Sequence, residues 1–177
     1  DESAAIAVCA TDGVERWDVI DALASLVAKS MVGSEPTGDT VRYQLLETLR
    51  HFARDRAGDL DGLRRQHARH YAAFAEAAAA GLASRHELAW RPRLAVELDN
   101  LRAAVGWAFD SESVDDMAIG VRLVEALRAH LKRPLLIIWD GLKAHRSKLV
   151  REYLDSTEGE IQMAFLPPYS PDLNPVE

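Results

Sequence analysis

The sequence predicts a mostly α chain with a short α/β segment at its carboxyl end, on three observations. Apolar residues recur at helical spacing through most of the first 131 positions, in a stretch rich in Ala, Leu and Arg. Five of the seven prolines fall after residue 128. In that same stretch Leu135 to Trp139 form an uninterrupted apolar run bounded by Pro134 and Asp140-Gly141, the pattern of a strand buried on both faces of a parallel sheet. Charge divides at the same place. Residues 1–127 hold 14 Lys+Arg against 21 Asp+Glu, whereas residues 128–177 hold 7 of each. Two segments of different origin, joined near residues 120–130, are expected.

In chain order, Trp17, Ile20, Leu23, Leu26, Val27 and Met31 form one apolar face, which predicts a core helix over 17–31. Gly33 to Asp39 contains Gly, Ser, Pro and Asp and reads as a loop. Val41, Tyr43 and Leu45 alternate with Arg42 and Gln44, a short strand. Leu46, Leu49, Phe52 and Ala53 resume helical spacing up to Gly58. This order is that of a winged helix. Further helices are expected over 60–82, 86–109 and 114–132, the second with Trp90, Leu94, Leu98, Leu101 and Val105 on one stripe; such helices pair as antiparallel hairpins. After Pro134 come the strand 135–139, a helix over 146–156, and a second strand over 161–166. An extended Pro167-Pro168-Tyr169-Ser170-Pro171 segment follows. Asn174-Pro175 would open a last helix holding Glu177. Domains are accordingly expected at 1–58, 59–125 and 126–177.

Composition narrows the function. Apolar residues make up 48% and charged residues 28%, which suits a globular rather than a disordered chain. A net charge of -7 excludes a histone-like global grip on nucleic acid and leaves room only for local basic patches. The single cysteine, Cys9, permits no internal disulfide and suits a reducing compartment. No apolar run approaches the ~20 residues that span a bilayer, and no signal pattern opens the chain. A cytoplasmic protein without a membrane partner is the expectation.

Asp140 and Glu177 are the sharpest candidates for chemistry. Open α/β sheets place ligand groups at the carboxyl ends of their strands, and converging carboxylates are the hard oxygen donors that Mg2+ prefers. On the residues alone, an Asp before Gly at a strand end is ordinarily a turn residue. His67 and His70 lie three apart on a predicted helix, with no Cys or carboxylate completing a ligand set, so ordinary helix histidines are expected. Arg64, Arg65 and Arg69 read as a solvated face, and core packing is expected of the four tryptophans.

The stretch IIWDGLKAHRSKLVREYL, followed by FLPPYSPDLNPVE, resembles the last part of the DDE endonuclease domain of mariner-like bacterial insertion-sequence transposases. The resemblance covers residues 128–177 and implies a partial ribonuclease H-like α/β fold, DNA as partner and Mg2+ as cofactor. It further implies that Asp140 and Glu177, separated by 36 residues, are the second and third catalytic carboxylates and metal ligands. His145, Arg146 and Lys148 match motif positions by the same resemblance. The family's first catalytic Asp should lie on a strand before residue 128, where this sequence reads as helices, and the chain stops at Glu177. Strand 135–139 is therefore expected to lack neighbours, and the chain to lack nuclease or strand-transfer activity.

LASLVAKSMV, RYQLLETLRHFARDR, RQHARHYAAFAE and ELDNLRAAVGWAF resemble, over residues 16–125, the winged-helix and helical-repeat region of large bacterial STAND-type ATPase regulators, many of them LuxR-type. That implies a relay or interaction module with a possible protein partner; helix 17–31, having few basic side chains, is not expected to read DNA. No Gly-x-x-x-x-Gly-Lys-Ser/Thr occurs, so no ATP site is expected in this chain. The fold class is thus mostly α, a winged helix plus helical hairpins, with a C-terminal partial ribonuclease H-like segment. Two functions stand side by side: an inactive transposase-like DDE endonuclease fragment, fused to a piece of a regulator, and a non-catalytic helical module of such a regulator.

Overall fold

The computed structural model describes residues 1–11, 13–38, 40–131, 135–139 and 148–165, with the side chains at 129–131, 135–139, 149 and 165 excepted. Helices dominate, and the chain divides into two compact units, Asp1–His70 and Tyr71–Glu177.

The first unit begins with α1 (Glu2–Cys9), capped by the Asp1 carboxylate, which accepts from the Ala4 amide at 2.8 Å. α2 (Arg16–Ala28) starts on a capping box between Glu15 and Asp18. It ends on Ser30 at φ 56°, with the Met31 amide donating to Leu26 and the Ser30 amide to Val27, both at 2.9 Å. That is a Schellman closure made without glycine. β1 (Val32–Thr37) then pairs antiparallel with β2 (Thr40–Leu45), from Val32 opposite Leu45 to Thr37 opposite Thr40. Gly38, at φ 59°, supplies the left-handed residue of the turn. α3 (Glu47–Arg56) follows.

Two expectations change here. Residues 33–37 are strand, not loop. Pairing with residues 40–45 outweighs their turn-like composition, and a two-stranded ribbon tolerates Pro36 because each strand keeps one edge outside the ladder. Nor is α2 a core helix on the expected face. Val19 is its buried residue, while Trp17 is 67% exposed and Leu26 and Met31 are also exposed. At 100° per residue, Trp17 lies some 160° around the helix from Val19. The buried stripe instead centres on Val19, with Leu23 and Val27 half-buried beside it.

α4 (Asp61–Leu82) runs across the division between the units. Beyond it, the expected single helix over 86–109 is two helices, α5 (Glu87–Val96) and α6 (Leu98–Asp110). The break falls at Glu97, at φ -103° and ψ 3°. There the carboxylate accepts from the Tyr71 hydroxyl at 2.8 Å and the Asn100 side-chain amide at 2.6 Å. Leu98 is consequently turned to the surface, while Leu101 and Val105 stay buried. A three-residue connection leads to α7 (Val114–Leu131), which packs against α6. In that connection Ser111 Oγ donates to the buried Asp116 carboxylate at 2.9 Å and accepts from the Ser113 amide at 3.1 Å.

The core of this unit lies between α6 and α7, with Phe109, Leu101 and Leu123 its largest enclosed side chains. Gly120 permits the close approach. A Cβ there would lie 2.8 Å from the Phe109 ring and 3.1 Å from the Ala108 methyl. α4 contributes the small buried faces of Ala72, Ala75 and Ala78. Its Glu76 accepts both Nε and Nη2 of Arg122 on α7, at 3.0 and 2.8 Å.

Last come β3 (Leu135–Trp139), α8 (Lys148–Ser156) and β4 (Ile161–Phe165). β3 and β4 pair in parallel along their full length, from Leu135 beside Ile161 to Trp139 beside Phe165. The expectation that strand 135–139 would lack neighbours is therefore corrected: β4 is its partner. Val150 of α8 and Ile161 of β4 are buried.

Candidate functional site

A βαβ unit orients its two strands alike, so both carboxyl ends emerge on one edge of the sheet. Here those ends are Trp139 and Phe165, side by side in the register. Asp140 is the next residue after Trp139 in sequence. Asp140 itself, Gly141, His145, Arg146, the proline-rich segment 167–175 and Glu177 lie outside the described residues.

The described side chains hold the other, amino end of this ladder, where Leu135 stands beside Ile161. Thr157 closes the turn between α8 and β4: its buried hydroxyl donates to the Leu154 carbonyl at 2.7 Å and accepts from the Ile161 amide at 3.3 Å. Glu158 and Gly159, at φ 50° and 86°, make the reversal. Glu160, just before β4, forms an ion pair with Arg128 of α7. Replacing Thr157 with valine keeps the shape and leaves the first amide of β4 without its acceptor. A loss of about 1–3 kcal/mol is expected, read as a lower denaturant midpoint with an unchanged slope.

Tyr153 of α8 adds one polar oddity. Its hydroxyl is enclosed and has no hydrogen-bond partner among the described residues. Burial holds its pKa above the ordinary tyrosine value; Glu125 adds to the rise and Arg128 opposes it. Lys148 opens α8, exposed and 3.4 Å from Glu152 one turn on. That is a solvated helix pair, worth little to stability.

Elsewhere the structure separates the other candidates. His67 and His70 are half-buried on α4. Among the described residues no group of three or more His, Cys, Asp or Glu could hold a metal ion. Arg64 is exposed and sits 3.4 Å from Asp61. Trp90 is half-buried beside Phe74, with ring centroids 5.9 Å apart, and the Arg93 guanidinium lies 4.1 Å from its centroid. Sequence reading missed this cluster, as it missed the Tyr71–Glu97–Asn100 group. Their members are far apart in sequence, and periodicity reports only one helix at a time.

Residues 94–177 match the DDE superfamily endonuclease family, so the C-terminal part of the chain resembles transposase-type endonucleases. The match begins in α5 and so takes in α6 and α7 as well as the βαβ unit. Curated relatives from Mycobacterium bovis and Mycobacterium tuberculosis, each named "Putative HTH-type transcriptional regulator", are 33% identical over 141 residues. That alignment covers 76% of this chain and 16% of each relative, so the chain spans about a sixth of their length. The two kinds of match together exceed the 177 residues and therefore share part of the chain. No solved structure matches. No helix among the described residues is long and apolar enough to cross a membrane.

Proposed function

We propose that residues 126–177 are the metal-binding segment of a transposase-like DDE endonuclease, with Asp140 and Glu177 as carboxylate ligands of Mg2+, and that this chain alone does not cleave DNA. The observation that supports the reading is the parallel, in-register pairing of β3 and β4, whose first strand ends at Trp139, one residue before Asp140. A bound divalent cation would supply Lewis-acid activation of a phosphodiester and of the attacking oxygen. The protein's own part is to present hard oxygen donors at a strand end, on a ladder whose amino end is fixed by Thr157 and the Arg128–Glu160 pair. Between Glu47 and Leu131 the described residues form α3 to α7 and no strand. No strand there could carry a further carboxylate in the manner of β3, which leaves two of the three carboxylates that the resemblance implies for a two-metal clamp.

The test is conversion of supercoiled plasmid to nicked circles with Mg2+ or Mn2+. The expected result is no nicking above a metal-free control. Metal-dependent nicking abolished in Asp140→Ala would overturn the inactive reading while upholding the assignment of Asp140. Mn2+ binding detected by electron paramagnetic resonance, and lost in Asp140→Ala, would support the ligand role without activity.

A second reading is favoured by the relatives named as transcriptional regulators: the helical part acts as a non-catalytic interaction module. Specific capture of a regulator domain by the chain, undiminished in Asp140→Ala, would favour it.

A further inference from the structure

Unit Asp1–His70 keeps two apolar helix stripes uncovered, and they carry opposite charge. On α2 the residues Trp17, Asp21, Ala24 and Ala28 recur at i, i+4, i+7 and i+11, one stripe of an α-helix, and all four are exposed. It belongs to an acidic stretch: residues 1–28 hold six Asp+Glu and one arginine. On α3 the stripe is Leu49, Phe52, Ala53 and Arg56, and every residue of α3 except the half-buried Leu49 is exposed. The Arg56 guanidinium lies 4.5 Å from the Phe52 ring centroid. This stripe belongs to a basic stretch: residues 49–69 hold six arginines against three aspartates.

We propose that α3 of one chain docks on α2 of a second copy, and reciprocally, in a two-fold dimer. Both stripes are exposed in the same chain, so neither covers the other internally. The α3 stripe is apolar at its centre and the α2 stripe on both sides of Asp21, surface that water disfavours leaving open, and the small side chains of Ala24 and Ala28 leave room for Phe52 one turn from Asp21. Opposite charge then sets partner and register: Arg56 meets Asp21 of the second copy, and the reciprocal pair closes the symmetry, as a two-fold interface requires. A nucleic acid fits less well. It would leave the tryptophan–alanine stripe of α2 uncovered and would meet a chain of net charge -7.

Sedimentation equilibrium of the whole chain tests this at concentrations on the order of 10–100 µM. Wild type should be dimeric at about 50 mM NaCl and shift toward monomer at about 500 mM, where surface charge is screened. Asp21→Arg and Arg56→Asp should each give monomer, and the double variant Asp21→Arg/Arg56→Asp should regain the dimer. Ala24→Arg, another exposed change on the stripe, gives a second route to monomer, with circular dichroism reporting that each variant is folded. A wild type monomeric throughout overturns the proposal. So do single variants that stay dimeric, or a double variant that stays monomeric. Binding of duplex DNA by a monomeric wild type, lost in Arg56→Asp, would overturn it in favour of a polyanion.

Discussion

Phe109→Ala is expected to destabilise the Tyr71–Glu177 unit by about 3–5 kcal/mol, the range for deleting a buried aromatic ring. Phe109 is 2% exposed and is the largest enclosed side chain of the described residues. Its ring fills the space that Gly120 leaves open, with the Ala108 methyl beside it. Removing it leaves a cavity lined by the α6 and α7 faces, and partial relaxation of those faces sets where in that range the loss falls. For a unit of this size each kcal/mol is worth about 4–8 °C, so the melting temperature should fall by more than about 10 °C. A scanning-calorimetry shift under about 3 °C would show that the α6–α7 interface is not the core.

Gly81→Ala is expected to destabilise the same unit, and its sign distinguishes packing from helix propensity. In an unconstrained helix the change gains up to about 1 kcal/mol. Here the new methyl would lie 2.0 Å from Trp90 Nε1 and 2.1 Å from its Cδ1. The indole must therefore leave its place beside Phe74 and below Arg93. Overpacking of this kind costs about 1–3 kcal/mol. A double-mutant cycle isolates the cause: in a Trp90→Ala background the same substitution should be neutral or stabilising. Equal destabilisation in both backgrounds would assign the cost to something other than the indole.

The parts legible in the sequence are those whose signal is local. The uninterrupted run Leu135–Trp139 announced a buried parallel strand, and β3 pairs in parallel with β4 as such a run requires. Helices α3, α4, α7 and α8 stand close to their expected positions because their apolar spacing and stop signals agree. Where a local signal met a tertiary one, the tertiary one won. Pro36 and its turn-forming neighbours yielded to cross-strand pairing, and the Trp90–Val105 stripe was divided by what Tyr71 and Asn100 do to Glu97. Trp17 shows the limit of periodicity: a helix has apolar residues on more than one side, and only packing decides which is buried. As for the site, the sequence nominated Asp140 and Glu177 by strand end and by motif. The structure contributes the edge beside the first of them, which no spacing rule could have drawn.

The parallel pairing of β3 and β4 also imposes an order of events on the chain. α6 and α7 meet across a connection of three residues, a closure that a searching polypeptide achieves early. Leu135 and Ile161 stand 26 positions apart, so each rung of their ladder closes a longer loop than the α6–α7 turn does. Folding should thus nucleate around Phe109 and Gly120 and finish at the sheet, so the edge next to Asp140 is the last region to mature on the way to the native state.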